Sequence, residues 1–396
     1  MSSHGVWGHG ALRETLARAF RVGTLPTSLL FHGPSGVGKQ TLALWLGRLI
    51  LCGAPQDANP CERCRSCKLA LRLEHPDLHW HFPLPRPRGA STPEKLASAL
   101  EDARHAELEV RRRQPLWPSY VGEPRAIYLA AAQGLRRRAQ SRPSMSLEQV
   151  FIIADAEHLV PQESSPEAAN ALLKLLEEPP ATSRFILTSS ERGRLLSTIR
   201  SRTVSVHVPP LDRDRVERFL VEEAGADADA AARAARLAGG SPGRALGFLP
   251  DGDGQGPLEA LRQQAFQLVR AALDPGAGST FSSALSFKAS GARALVDLLV
   301  SVEGWVRDLA AAAAGAPEQL LNTDARDYLR RIAVEREVVA PDVAGALDVV
   351  ERAREQALAN VNPQLIVTGL VAGLRRHLVP RPVASGALAR SRGGTP

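Results

Sequence analysis

The 396-residue sequence lacks any uninterrupted apolar run of the ~20 residues that a membrane helix needs. The nearest approach to one is LALWLGRLILCG, which Arg48 interrupts. The first residues, MSSHGVWGHGALRETL, are polar and lack the apolar segment of a secretory signal peptide. Because 44% of the residues are nevertheless apolar, these absences predict a folded cytoplasmic protein with two or three domains.

Cysteine is scarce, and all four residues of this type fall within sixteen positions. Thiols at this density in a cytosolic protein favour a closed tetrahedral zinc site over disulfides. Iron–sulfur ligation and unliganded thiols are the weaker alternatives. Nothing points to an open coordination position, so the zinc would be structural. The predicted ligands are Cys52, Cys61, Cys64 and Cys67.

Lysine is also rare, and arginine supplies most of the net charge of +7. Between Arg86 and Arg142 there are twelve Lys or Arg residues and six Asp or Glu residues, an excess of six positive charges. Such a block could contact nucleic-acid phosphates. No aromatic platform accompanies it, so the favoured interpretation is a solvated, arginine-rich insertion at about residues 86–124. A loop at residues 83–93 is predicted to open this insertion.

One glycine-rich stretch, HGPSGVGKQT at residues 32–41, is close to a phosphate-binding loop. The full pattern needs Gly, four residues, Gly-Lys and then Ser or Thr. Gln40 stands where the magnesium-binding hydroxyl belongs, and Thr41 comes one position late. A short buried strand is predicted before the loop, and a helix from Lys39 to about Leu51 after it. The alternative is a tight strand-to-helix turn that binds no ligand. The loop residues that would contact nucleotide are Gly33, Gly36, Gly38, Lys39, Gln40 and Thr41.

Three further apolar runs predict strands: VFIIAD at 150–155, RFILTSS at 184–190 and TVSVHV at 203–208. A helix between the first two contains ANALLKLLEE and is stopped by Pro179 and Pro180. Strands that alternate with helices predict a parallel α/β sheet with helices on both faces. Beyond Leu211 the segments are Ala-rich and helical, and the Gly/Pro-rich residues 250–257 predict a linker before an all-helical part.

Six motifs occur in a fixed order: GPSGVGK, the cysteine array, HPD, ANALLKLLEEPP, LLSTIRSRT and GGSPGRAL. In this order they resemble the bacterial clamp-loader subunits of DNA polymerase III, within the AAA+ superfamily. Near the C-terminus, NVNPQLIVTGL is similar to the last collar helix of that family. The resemblance implies an AAA+ domain of P-loop type with an inserted zinc module, then a helical lid, an all-α collar and a disordered tail. The implied ranges are 1–210 for the AAA+ domain, 52–67 for the zinc module, 211–250 for the lid, 258–380 for the collar and 381–396 for the tail.

Two subunit types share these motifs, the ATP-hydrolysing tau/gamma motor and the delta-prime subunit. Hydrolysis needs Mg²⁺ held by the loop hydroxyl and a strand-end Asp, plus a residue that positions water. Asp155 ends its strand, but Ala156 stands where the motor has Glu. Glu157 comes one position late, so its side chain is expected to point elsewhere. With Gln40 as a poor metal ligand, the resemblance implies a delta-prime subunit with little or no ATPase activity, whose loop retains the groups that bind ATP.

The resemblance also assigns residues that face a neighbour or sense nucleotide. Arg202 matches the arginine finger that clamp loaders present to a neighbour's ATP, and Arg200 is expected to have the same facing on an extended run. Thr188 or Ser189 matches the first polar sensor, and Arg244 matches the second. The implied partners are the tau/gamma and delta subunits in a hetero-pentamer, the sliding clamp and, through the complex, primed DNA.

Two other functions stay open on the sequence. The first is a tau/gamma-type motor, which intact magnesium-binding and water-positioning residues would support. The second belongs to a different class, a zinc-dependent nucleic-acid-binding module, and it predicts tight DNA binding by the isolated chain.

Overall fold

The computed structural model describes residues 5–57, 59–89, 92–113, 125–159, 167–250, 252, 254–274, 292–359 and 361–379. The chain divides into two compact units, Met1–Ala260 and Leu261–Pro396. Across the described ranges, no helix combines the length and apolar character needed to cross a membrane. The predicted tail at residues 381–396 and the last part of the predicted insertion, residues 114–124, lie outside the described residues.

A parallel five-stranded sheet lies at the centre of the first unit, in the strand order β2-β5-β6-β1-β7. The two other described strands, β3 and β4, form a short antiparallel pair. The strands are β1 (Ser28–His32), β2 (Leu78–His81), β3 (Leu84–Pro85), β4 (Arg125–Ala126), β5 (Gln149–Ile153), β6 (Ser183–Ser189) and β7 (Val204–His207).

Helices cover both faces of this sheet. They are α1 (Gly10–Arg21), α2 (Lys39–Leu51), α3 (Arg65–Leu71), α4 (Pro93–Arg113), α5 (Leu129–Ala139), α6 (Glu167–Glu177) and α7 (Ser197–Ser201). Because successive side chains of a strand point to opposite faces, Leu29 and Phe31 pack in the core that contains α2, whereas Leu30 packs in the core that contains α5 and α6. Every residue of β5 is buried, as expected for a strand with a layer on each side. The predicted parallel α/β sheet is confirmed.

The predicted solvated insertion is in part a packed helix, which corrects the sequence interpretation. Helix α4 occupies Pro93–Arg113, and its Leu100 and Leu108 are buried in the core on the α2 side of the sheet. Leu96 and Ala103 are partly buried against the same core, which completes a helical spacing of apolar positions. The arginine-rich composition concealed this apolar stripe.

The first unit continues as three helices, α8 (Arg213–Glu222), α9 (Ala228–Leu237) and α10 (Pro242–Leu246). Asp227 caps α9, since its side chain accepts a hydrogen bond from the N–H of Ala230. Ala231, Ala234 and Ala235 form the buried face of α9. Small side chains there allow close helix packing.

The second unit is built from helices in its described part. They are the C-terminal portion of α11 (Pro257–Leu273), then α12 (Ala292–Ala313), α13 (Arg326–Glu335), α14 (Ala340–Leu358) and α15 (Pro363–Leu378). A buried polar network crosses its core. Arg262 donates to Asn322 (2.9 Å) and Asp324 (2.8 Å), and Asp308 accepts hydrogen bonds from the backbone N–H groups of Leu321 and Asn322. The predicted all-helical C-terminal part is confirmed, whereas its exact domain boundaries stay predictions.

Asp77 of the HPD motif fixes the chain segment that leads into β5. Its carboxylate accepts hydrogen bonds from the backbone N–H groups of Ser144 (2.6 Å), Met145 (2.8 Å) and Ser146 (2.7 Å). The side chain is almost fully buried. Burial acts to raise the pKa of Asp77, but these N–H groups outweigh it and hold the pKa below its ordinary value.

We expect Asp77→Ala to lower the free energy of unfolding by about 3 kcal/mol, because three backbone N–H groups lose the buried carboxylate that accepts their hydrogen bonds. A lowered folded-state pKa contributes stability that is present above the ordinary Asp pKa of about 4 and is lost as the pH falls through the folded-state value. The destabilisation should therefore shrink in acid. Urea denaturation at pH 7 and pH 3 measures both effects. Asp102→Ala, an exposed change on α4, is the control, and equal midpoints for the two variants would contradict the assignment.

Candidate functional site

The glycine-rich loop joins β1 to α2, so the predicted strand–loop–helix arrangement is present. Gly36 has φ 80°, a conformation that side-chain-bearing residues rarely adopt. A Cβ atom at Gly36 would also lie only 2.8 Å from the backbone N of Arg244. Both facts require glycine at this position. The N-terminus of α2 presents the backbone N–H groups that bind phosphate in loops of this kind.

Lys39, the loop lysine, folds back onto its own loop. Its ammonium donates hydrogen bonds to the carbonyl oxygens of Gly33 (2.9 Å) and Pro34 (2.8 Å) and to the hydroxyl of Ser190 (3.0 Å). The residue is 5% exposed. A phosphate group would have to displace these acceptors before it could pair with Lys39.

The structure brings together Gln40 and Asp155, the two residues at the predicted metal position. The amide Nε2 of Gln40 donates to Oδ2 of Asp155 at 3.0 Å. Arg111, which sequence reasoning did not assign to the site, donates from Nη1 to Oε1 of Gln40 at 3.3 Å. Thr41 follows Gln40 on α2 and so lies about 100° further around the helix. The residues present do not fit a magnesium ion, because the position-40 side chain is an amide that already bridges Arg111 and Asp155.

The turn after β5 places Asp155, Ala156 and Glu157. Asp155 has φ 48°, and its backbone N–H donates to the hydroxyl of Thr188 at 3.1 Å. Thr188 is fully buried at the end of β6. The hydrogen bond thus places Thr188 beside the strand-end aspartate, and its role as a sensor stays a prediction. Ser189 accepts from the N–H of Glu191 through its hydroxyl, and the two hydroxyls thus have different partners.

Glu157 lies closer to the loop than the sequence suggested. Its carboxylate accepts a hydrogen bond from the backbone N–H of Ser190 at 3.1 Å, and the Ser190 hydroxyl in turn accepts from Lys39. That this side chain does not take the place of the motor's Glu stays a prediction, but the one-residue shift does not carry it away from the loop. The left-handed Asp155 and the 3₁₀ turn that follows it set the direction of this side chain. Burial and the negative charge of Asp155 raise the pKa of Glu157.

Arg244 lies in the middle of α10, and its backbone is directly against the loop. The N–H of Gly243 donates to the carbonyl oxygen of Gly36 at 2.8 Å, and a Cβ atom at Gly243 would lie 3.0 Å from the Cα of Gly36. The two backbones therefore touch without intervening side chains. Arg244 lies beside the loop, and its sensor role stays a prediction.

Arg202 lies on the surface at the C-terminal end of α7. Its guanidinium pairs with the carboxylate of Glu177 at 2.5 Å and donates to the carbonyl oxygen of Thr198 at 3.1 Å. About a third of its side chain is exposed. The prediction that Arg200 and Arg202 point in the same direction is wrong. Residues 197–201 are helical, and the side chains of residues two apart on a helix point in directions about 200° apart. The Nε atom of Arg200 is buried.

The four cysteines converge at the start of α3. Their sulfur atoms all lie within 4.8 Å of one another, and none forms a disulfide. Three backbone N–H groups donate to sulfur: Cys61 to Cys52, Cys64 to Cys61 and Cys67 to Cys64, at 3.3–3.4 Å. Zn–S bonds of 2.3 Å in a tetrahedron separate sulfurs by about 3.8 Å. The cluster therefore fits a metal ion bound by four thiolates, and its donor set suits zinc.

Comparison with known proteins places the chain among replication proteins. The family described as "DNA polymerase III, delta subunit" matches residues 8–212, which span the sheet, the glycine-rich loop and the cysteine cluster. The chain is 26% identical to the DNA polymerase III subunit delta' of Escherichia coli (strain K12) over 369 residues, covering 93% of this chain and 94% of that protein.

Two further relatives are similar over shorter stretches. The subunit delta' of Bacillus subtilis (strain 168) is 30% identical over 199 residues, 50% of this chain and 47% of the relative. The subunit gamma/tau of Mycobacterium bovis is 30% identical over 249 residues, 62% of this chain and 36% of the relative. The resemblance that the motifs indicated is therefore confirmed, and the chain belongs to the DNA polymerase III delta-subunit family.

Proposed function

We propose that the chain is the delta-prime subunit of a DNA polymerase III clamp loader. In this role it assembles with tau/gamma and delta subunits in a hetero-pentamer in the cytoplasm. That complex opens the sliding clamp and places it at primed DNA, as part of the polymerase III holoenzyme. The near full-length similarity to a delta' subunit supports this assignment.

One observation favours delta-prime over a tau/gamma motor: the hydrogen bond between Gln40 and Asp155. A motor must hold Mg²⁺ between a loop hydroxyl and the strand-end aspartate. Here the corresponding side chains bind each other, and Ala156 offers no group that positions water. The chain would then bind no magnesium of its own. It would pack against a neighbouring subunit and supply Arg202 to that subunit's ATP site.

The helices and the cysteine cluster can be assigned to the parts of a clamp-loader subunit. Helices α8–α10 correspond to a lid over the glycine-rich loop, within residues 211–250. The helices of the second unit, within residues 258–380, correspond to a collar through which the subunits associate. The cysteine cluster corresponds to a structural zinc module, which would fix the segment between α2 and α3 without taking part in chemistry.

Assembly with partner subunits tests the proposal. Mixing the purified chain with tau/gamma and delta from the same source should give one stable complex, seen by size exclusion and native mass spectrometry. A chain that stays a solitary monomer would contradict the delta-prime assignment. If that monomer also binds DNA tightly, and loses this binding with its zinc, the zinc-dependent nucleic-acid-binding function would replace it.

The isolated chain should hydrolyse ATP negligibly, because Gln40 and Ala156 replace a metal ligand and a water-positioning carboxylate. A steady-state assay with Mg²⁺ measures this, with the tau/gamma subunit as the positive control. Lys39→Ala serves to identify contaminating activity, since it removes the loop ammonium. Turnover similar to that of the motor, and lost in Lys39→Ala, would refute the prediction.

A further inference from the structure

Arg111 connects the inserted helix α4 to the glycine-rich loop. Its guanidinium carbon lies 4.7 Å from the ring centre of Trp80 and 4.1 Å from that of Phe82. These rings, on and just after edge strand β2, are edge to face at 5.4 Å. Within α4, Nε donates to Glu107 at 3.1 Å. The side chain is 20% exposed, so this arginine is held from several sides at once.

The chain of hydrogen bonds from Arg111 ends at Asp155. Arg111 donates to Oε1 of Gln40, and Nε2 of Gln40 donates to Asp155. A guanidinium can only donate and an ionised carboxylate can only accept. The amide between them is therefore satisfied in one orientation, with its oxygen toward Arg111 and its nitrogen toward Asp155. Gln40 is the side chain that makes this relay possible, because a Ser or Thr hydroxyl would be shorter.

Opposite charges already meet at this position, where Glu107 pairs with both Arg111 and Arg125. Arginine remains protonated in proteins, and Asp155 is close enough to Arg111 to oppose, together with Glu107, the lowering of the Arg111 pKa by burial. A divalent cation placed between position 40 and Asp155 would need the oxygens that this network uses, and it would be repelled by the guanidinium.

We propose that Arg111 is the resident cation of this site: it stands in for the magnesium ion of a P-loop ATPase, joins Gln40 to Asp155 and excludes divalent metal. This assigns a function to the insertion, since α4 carries the arginine to the loop. Arg111 would act on the loop of this chain itself, whether or not the chain occupies the delta-prime position in a complex.

The neighbouring Arg112 shows what a purely structural arginine on α4 looks like. It pairs with Glu109 at 2.6 Å and donates to the backbone carbonyl of Arg72, and its contacts lie on the surface. Arg112 thus ties α4 to the domain without reaching Gln40 or Asp155. It is the matched control for Arg111.

The test restores the loop hydroxyl and then removes the cation. Full-length Gln40→Thr, Gln40→Thr with Arg111→Met, and Gln40→Thr with Arg112→Met are titrated calorimetrically with a non-hydrolysable ATP analogue, in Mg²⁺ and in EDTA. Methionine keeps an unbranched apolar side chain between Trp80 and Phe82. We expect at least tenfold tighter binding in Mg²⁺ than in EDTA for the Arg111→Met double variant. The single variant and the Arg112→Met double variant should show no such dependence.

Equal metal dependence in the single variant and the Arg111→Met double variant, whether present or absent in both, would overturn the proposal. The unaltered chain gives a second measurement that does not depend on how the variants fold. It is titrated with Mn²⁺ and the same analogue, and electron paramagnetic resonance counts the bound ions. No Mn²⁺ should bind with the nucleotide, whereas a nucleotide complex that contains one Mn²⁺ ion would show that Arg111 excludes nothing.

Discussion

Replacing Arg202 with alanine in the reconstituted complex is expected to slow ATP hydrolysis, and to slow clamp loading still more. An arginine supplied to a neighbour's γ-phosphate is worth roughly 10³–10⁵ in rate at the site that it serves. Only one of several ATP sites would lose its arginine, so the defect in total hydrolysis should be partial. The rate of clamp loading should fall further than the rate of hydrolysis if the sites hydrolyse ATP in a coupled order.

The fold should tolerate this change. The ion pair between Arg202 and Glu177 is partly exposed, with 33% and 42% of the side chains accessible. Pairs of this kind contribute about 0–1 kcal/mol to stability. Arg202→Lys should rescue little of the rate, because an ammonium lacks the planar fork that contacts two phosphate oxygens.

The measurement is DNA-stimulated hydrolysis and clamp loading by complexes that contain each variant. Arg194→Ala is the matched control: Arg194 is 32% exposed and pairs with Glu191 at 3.1 Å, so it loses a similar ion pair. Arg200 is a poorer control, since part of its guanidinium group is buried. If Arg202→Ala and Arg194→Ala complexes load clamps equally fast, Arg202 does not act on a neighbour's ATP.

The second large effect is expected at the cysteine cluster. The protein purified without chelator should contain about one equivalent of zinc, and Cys64→Ser should lose it together with much of the thermal stability of the first unit. Structural zinc sites in isolated peptides contribute an apparent 10–16 kcal/mol at pH 7. A larger domain that has its own core should lose less than this.

Cys64→Ser separates the metal from the helix cap. Cys64 precedes α3, and its sulfur accepts a hydrogen bond from the N–H of Cys67. Serine is itself a favourable capping residue, so any destabilisation would report the lost thiolate. Elemental analysis and thermal unfolding with and without chelator measure the effect, with Ser66→Ala on the same helix as the control. Four freely titratable thiols and no metal would contradict the prediction.

The sheet and the loop were predictable because their signals are local. β5 is an apolar run that reads as a buried strand by itself, and the glycine pattern identifies the turn after β1. The role of Arg111 was not predictable in this way. Its partner Gln40 lies 71 positions away in the chain, and its aromatic partners precede the arginine-rich block. The relative orientation of Arg200 and Arg202 was predicted wrongly for a different reason. Thr198 and Ile199 favour extended backbone, but the segment is helical and buries Ile199.

The contact between Gly36 and Gly243 has a mechanical consequence. A hydrogen bond of 2.8 Å joins the two backbones, and a Cβ atom on either residue would lie within 3.0 Å of backbone atoms, so the loop and α10 are in direct backbone contact. A hinge motion of α8–α10 away from the loop would first have to break this hydrogen bond. A protein that docks across the sheet and these helices therefore meets a preorganised surface, and its binding loses little conformational entropy to ordering the two parts.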